Sequence, residues 1–290
     1  MSEDRDQKNA VFAAQQMATG NMPTMSVADA VKNDFGIEVP HEVIPLPSRG
    51  KVYPETSLLF NRTSLEIKAM TAREEDILTS RALLKKGTVI TELIRSCLID
   101  RQVNVQEMLV GDRNALMIAI RITGYGAEYD AEVECSKCGE KGEYTFDLAQ
   151  LPIRFLDIDP IQPGMNMFEY VLPMSKKRIV FRFMNGLLED EISATAEQQK
   201  KKKISNDSTV TTNLQYCIIS VDGNQDRQKI SQFVKFMPAR DSLALRKYIA
   251  ENQPDITLKQ TITCKNEECG HSEEVDMPLG VSFLWPRTRR

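Results

Sequence analysis

Histidine is nearly absent from this sequence: 290 residues hold two, His41 and His271. Imidazole is the side chain that most readily exchanges protons near neutral pH, so Ser/His/Asp and Cys/His devices have little to draw on. Tryptophan occurs once, as Trp285. No apolar run approaches the roughly 18 residues of a membrane-crossing helix, so no membrane span is expected. Neither sign of charge is in surplus: 37 Lys and Arg stand against 41 Asp and Glu, a net −4. No global basic field therefore recruits nucleic acid or an anionic membrane. The opening MSEDRDQKNA is too charged for a secretory signal, which makes a reducing compartment the expectation. Also missing are a Walker loop, GxGxxG, GxSxG, HExxH, and a His-x-Glu ahead of Pro-Cys-x-x-Cys. The expectation is a protein that is not an enzyme, with no catalytic residue and no small-molecule substrate.

Hydrophobic residues make up 41 % and charged residues 27 %, which suffices for a proper core and argues against disorder. Residues 1–43 read as a flexible N-terminal leader without strand pattern, punctuated by Gly20, Pro23 and Pro40. Within it, Ser26 is placed to cap a short helix carrying Val27, Ala30, Val31 and Phe35. Order is expected from Ile44. Leu65, Ile67 and Ala69 alternate as a strand does, and Thr71 with Glu74 forms a capping box for a helix running to Lys86. Glu74, Glu75 and Asp76 resemble a carboxylate site, but their first-turn position favours a dipole role. Gly87 stops that helix. Val89, Ile90, Leu93, Ile94, Cys97 and Leu98 form the apolar stripe of a second helix, with Cys97 as a small hydrophobe. A third helix opens at Asp112 and ends at Gly124-Tyr125-Gly126.

The second half echoes the first. Leu65, Ile67, Ala69 and Met70 find Ile179, Phe181, Phe183 and Met184 at an offset of 114, as Glu75 and Asp76 find Glu189 and Asp190. Cys97 finds Cys217 at an offset of 120, and Asp112 finds Asp241 at 129. From each aspartate it is 23 residues to the next cysteine, Cys135 or Cys264. The fold expectation is α+β: a strand–helices–β-hairpin unit used twice, over 44–151 and 178–290, with 152–177 as linker. Lys200–Lys203 fall where the second unit has its inter-helix connection, and read as a solvated loop.

The six cysteines carry the chemistry that is present. Cys135-x2-Cys138-Gly139 is a metal knuckle, and Cys264-x4-Cys269-Gly270 is a second with a longer turn. Both sit between alternating segments, so each is the tip of a hairpin. Four thiolates complete a tetrahedral, structural Zn²⁺ site in zinc-ribbon style with no vacant position. The alternatives are free thiols, a thioredoxin-like pair, disulfides, or His271 in place of Cys269. A redox motif would start a helix, whereas a strand follows Gly139. Because 125 residues separate Cys138 from Cys264, neither hairpin is a self-contained finger, and an ion would join the two units.

Several segments carry a family resemblance. They are Ile44-Pro45-Leu46-Pro47-Ser48-Arg49-Gly50-Lys51-Val52-Tyr53, Ala69-Met70-Thr71-Ala72-Arg73-Glu74-Glu75-Asp76-Ile77-Leu78, and Leu83 through Ile90. Leu109 through Leu116 and Arg121 through Tyr129 continue the series. Over about residues 44–148 the chain resembles the baseplate hub assembly proteins of T-even-type contractile-tailed bacteriophages. The resemblance implies a chaperone-like tail factor in the host cytoplasm, with phage baseplate hub proteins as partners and no catalytic residue. A permanent virion subunit is the alternative. A zinc-ribbon binding nucleic acid, drawing on Lys200–Lys203 and Arg287-Thr288-Arg289-Arg290, is disfavoured by the net charge. Phe283-Leu284-Trp285-Pro286 is either an interface anchor or a plug into the chain's own core.

Overall fold

The computed structural model describes residues 28–32, 38–201, 209–277 and 283–284. Strands β1 (Ala28–Lys32), β2 (Glu38–Pro45) and β3 (Ser64–Lys68) form an antiparallel sheet in that order. The β2–β3 register runs from His41 opposite Lys68 to Pro45 opposite Ser64. Leu65 and Ile67 point inward, as their alternation requires. The N-terminal helix expected from Ser26 is not what forms: Ala28–Lys32 is a strand against β2. Its Val31 suits either state, and a neighbouring edge able to satisfy the backbone decides for the strand. Val27 and Phe35 lie outside the described residues.

The helix expected to reach Lys86 is two, α1 (Ala72–Thr79) and α2 (Arg81–Lys86). They break at Ser80, whose ψ of 106° is extended and whose N–H bonds to the Ile77 carbonyl. Gly87 adopts a left-handed φ of 71° and ends α2. Helix α3 (Val89–Cys97) buries Val89, Leu93, Ile94 and Cys97, so the apolar stripe faces the core. Burial pushes the Cys97 thiol up to about 12, which suits a packing residue rather than a nucleophile. Leu98 then bridges Ile67 beside β3. Helix α4 (Val110–Tyr125) follows, and then the hairpin of β4 (Glu128–Glu134) and β5 (Lys141–Asp147).

The stretch expected as linker holds β6 (Ile153–Arg154) and β7 (Phe168–Val171). Strands β7, β8 (Arg178–Phe181) and β9 (Ile218–Val221) form a second three-stranded antiparallel sheet. Between β8 and β9 lie α5 (Gly186–Lys201) and α6 (Thr209–Cys217). Lys200 and Lys201 thus close a helix rather than sit in a loop, and Lys202 and Lys203 lie outside the described residues. Helices α7 (Arg227–Phe236) and α8 (Ala239–Asn252) come next, then β10 (Asp255–Ile256) and the hairpin β11 (Lys259–Thr263) with β12 (Ser272–Asp276). Phe181 pairs with Ile218, which follows Cys217, just as Ile67 meets Leu98, which follows Cys97.

Main-chain contacts suture the halves. Val110 N–H donates to Met184 O at 3.0 Å, Gly186 N–H to Met108 O at 3.2 Å, and Leu187 N–H to Gln106 O at 2.9 Å. Strand β10 pairs with β6, and Gly111 of α4 packs on the Pro254 backbone. Buried side chains from Ile44 to Leu284 form one apolar cluster. No described helix is long and apolar enough to cross a membrane.

Candidate metal centre

Each hairpin ends in a turn shaped by its own backbone. In the first, Cys135 N–H donates to Glu140 O at 2.9 Å and Gly139 N–H to Cys135 O at 2.9 Å. In the second, Cys264 N–H donates to His271 O at 2.8 Å, and Gly270 N–H to Asn266 O at 3.1 Å. Gly139 and Gly270 close these turns with φ of 72° and 51°, a region costly for any side chain bearing a Cβ. The extra two residues of the second knuckle are taken up by Asn266, whose side-chain oxygen accepts Glu268 N–H at 3.0 Å.

The two turns meet. The sulfurs of Cys135, Cys138, Cys264 and Cys269 all lie within 4.8 Å of one another, and Cys138 Sγ is 3.6 Å from Cys264 Sγ. A tetrahedral ion with metal–sulfur bonds of about 2.3 Å needs sulfurs about 3.8 Å apart, so the cluster could bind a metal ion with little movement. Cys135 and Cys264 are buried, Cys269 is partly covered and Cys138 is exposed. All six cysteines are free thiols here. His271 enters the site through its carbonyl, and the four-member ligand group is made of cysteines alone.

Electrostatics among the thiols favour a cation. Backbone N–H groups of Cys138 and Lys137 lower the Cys135 thiol. The Asn266 backbone helps the Cys264 thiolate, but desolvation and the three neighbouring thiols outweigh it and push Cys264 up to about 12. Four thiolates cannot crowd together unaided, and a divalent ion reverses that penalty. Polar contacts also lock hairpin to hairpin. Ser136 N–H donates to Glu273 Oε1 at 2.8 Å, and Tyr144 Oη to Thr263 O at 3.1 Å.

Sequence reasoning missed three buried polar devices. Asp112, in the first turn of α4, is fully buried and accepts from Ser48 N–H at 2.9 Å, Ser48 Oγ at 2.6 Å and Tyr53 Oη at 2.5 Å. Asp241, at the equivalent place in α8, accepts from Met174 N–H at 2.7 Å and Ser175 N–H at 2.9 Å. Desolvation works against the Asp241 carboxylate, but these donors outweigh it and hold it below the ordinary range. Arg121 is the third: Nε donates to Phe283 O at 2.9 Å, Nη1 to Gly126 O at 2.8 Å and Nη2 to Glu128 O at 3.0 Å. Phe283 is 1 % exposed and meets the Tyr129 ring edge-on at 5.1 Å, so at this residue the tail is a plug. Trp285 and the terminal arginines lie outside the described residues. The Thr71 capping box is present, with Thr71 N–H and Oγ donating to Glu74 Oε2. Glu74 does more, since it is wholly buried and pairs with Lys68 at 2.7 Å.

The fold and site define a mixed α/β protein in which two hairpin tips converge on one four-cysteine centre able to hold a metal ion. The family model of the T4 bacteriophage base plate protein matches residues 41–285, and the chain belongs to that family. No curated protein and no solved structure matches it.

Proposed function

We propose that the chain is a non-enzymatic phage tail protein, a chaperone-like factor in building the central hub of the baseplate. Its partners are then baseplate hub proteins, met in the host cytoplasm, with the virion tail baseplate as its destination if it is retained. The observation that carries this reading is the family match over residues 41–285, which takes in both halves and all four clustered cysteines. The motifs that resemble hub assembly proteins supply structural residues, with Ser48 and Tyr53 bonded to Asp112 and Thr71 to Glu74. That suits a protein that presents surfaces rather than a reactive centre.

Zn²⁺ is the ion we assign to Cys135, Cys138, Cys264 and Cys269. Four thiolates at tetrahedral spacing suit its softness and lack of geometric preference, and leave no position for substrate. Its role is structural: it ties the hairpins of the two halves, beside main-chain sutures that already join them.

The two halves are read as one unit duplicated, around the boundaries 44–151, 152–177 and 178–290. Support comes from the matching strand contacts beside Cys97 and Cys217 and from Asp112 and Asp241 at one helix position. On those pairings β7 is the partner of β2, which moves the start of the second unit back into the linker.

Affinity purification of tagged protein from infected cells, with mass spectrometry of purified virions, tests the reading. Hub proteins should co-purify, and the chain should be absent or substoichiometric in virions. Stoichiometric presence in finished particles would replace the assembly factor with a permanent baseplate subunit.

A further inference from the structure

The face built by α1, α2 and α3 carries positive charge that the caps and the core do not use. Three of its carboxylates are ion-paired: Glu74 with Lys68 at 2.7 Å, Glu92 with Arg95 at 2.6 Å, and Asp100 with Arg62 at 3.0 Å. Glu75 accepts the Tyr125 hydroxyl, and Asp76 has no side-chain partner among the described residues. Against these two uncompensated carboxylates stand five cations: Arg73, Arg81, Lys85, Lys86 and Arg101. None has a hydrogen-bond or ion-pair partner among the described residues, and all are exposed. Such a local surplus is unexpected on a chain of net charge −4.

Geometry concentrates part of that charge. Helix α2 touches both α1 and α3, and between them lies an open cleft of about 520 Å³ lined by Arg73, Arg95 and Arg101. Ile77 and Leu83 supply an apolar wall. We propose that this cleft is a docking site for an acidic segment of a partner protein. Carboxylates of that segment pair with the Arg73 and Arg101 guanidinium forks, whose geometry matches a carboxylate, while an apolar side chain seats on Ile77 and Leu83. The apolar wall and the absence of lining aromatics on which bases would stack favour an acidic peptide over a nucleic acid backbone. This inference stands apart from the hub reading, because acidic-peptide binding can be measured whatever the partner's identity.

The test uses the full-length chain and fluorescence anisotropy of a fluorescein-labelled peptide of repeated Glu-Glu-Leu. Binding should weaken as salt is raised, and Arg73→Glu with Arg101→Glu should weaken it at least about tenfold. Arg73→Lys with Arg101→Lys should fall between, since charge is kept and the fork is lost. Lys235→Glu with Arg246→Glu, exposed on α7 and α8, should leave affinity unchanged. Equal thermal melts would show that every variant folds. Undiminished binding by the Arg73→Glu/Arg101→Glu protein overturns the proposal, as does tighter binding of oligothymidylate of equal charge.

Discussion

Tyr53 and Asp112 lie 59 positions apart in the chain, yet the Tyr53 hydroxyl donates to the Asp112 carboxylate at 2.5 Å inside the core. The same hydroxyl accepts Leu109 N–H at 2.9 Å, so one oxygen ties the loop after β2 to the start of α4. Burial and the neighbouring carboxylate push the Tyr53 phenol well above its ordinary value, which keeps the donor proton in place.

Tyr53→Phe should therefore destabilise the protein by about 1–3 kcal/mol in urea unfolding, since the buried Leu109 N–H loses its acceptor and the Asp112 carboxylate loses one of its donors. Asp112→Ala, which strands Ser48 N–H and both hydroxyls, should cost more. A change below about 0.5 kcal/mol for either, the scale of ordinary surface substitutions, would remove this network from the core's stabilising contacts.

The metal assignment predicts one zinc per chain by elemental analysis. Chelation, or Cys135→Ser with Cys264→Ser, should lower the melting temperature while far-UV circular dichroism keeps its helical signal. The helices pack on an apolar cluster that includes none of the four knuckle cysteines, which is why they should survive. Purified protein free of zinc, with a melting temperature indifferent to chelator, would reject the assignment.

Glu42 is buried on β2 with no donor to either carboxylate oxygen among the described residues, and burial pushes its pKa up to about 7. The folded chain then holds a proton that the unfolded chain releases from about pH 4.5 upward. Stability should fall as pH rises through that interval and level off above about 7. Between about pH 4 and pH 8, wild type should lose about 1–3 kcal/mol more than Glu42→Gln. Parallel stability–pH curves for the two proteins would contradict this.

Gly111 has no room for a side chain: a Cβ there would sit 1.9 Å from Pro254 O and 2.7 Å from Pro254 C. Both obstacles are backbone, so Gly111→Ala should push α4 off the segment entering β10 and cost about 1–3 kcal/mol. Gly87→Ala meets no atom within 4 Å, and its penalty should come only from the left-handed φ of 71°. Equal melting temperatures for wild type and Gly111→Ala would contradict the close approach.

Arg121→Met should free the Phe283 segment. Three charge-assisted bonds to carbonyls vanish, one of them holding Phe283 itself, so limited proteolysis should clip the C-terminus faster than in wild type. Unchanged cleavage would mean that the Phe283 ring alone retains the tail.

Local signals carried some of this structure and pairing carried the rest. The knuckles were legible because metal ligation imposes short spacings, and Gly139 and Gly270 mark the turns beside them. Strand β3 and the stripe of α3 were legible because one face of each is buried. Strand β1 was not, since its identity comes from β2 beside it rather than from its own pattern. The break at Ser80 hides within an otherwise helical run. Asp112 read as a helix start because its donors Ser48 and Tyr53 are 64 and 59 positions away. The basic cleft escaped notice for the same reason: Arg73, Arg95 and Arg101 form no run, whereas Lys200–Lys203 do.

The distribution of the four cysteines also sets an order of events during synthesis. When Cys138 leaves the ribosome, half of the four-cysteine cluster has been made, and Cys264 is still 126 positions from being added. At about 5–20 residues per second, that delay is roughly 6–25 s. A chain cut short before Cys264 never acquires the second pair of sulfurs, so closure of the cluster requires translation through Cys269. The four-cysteine cluster thus separates chains that carry both hairpins from fragments that carry only the first.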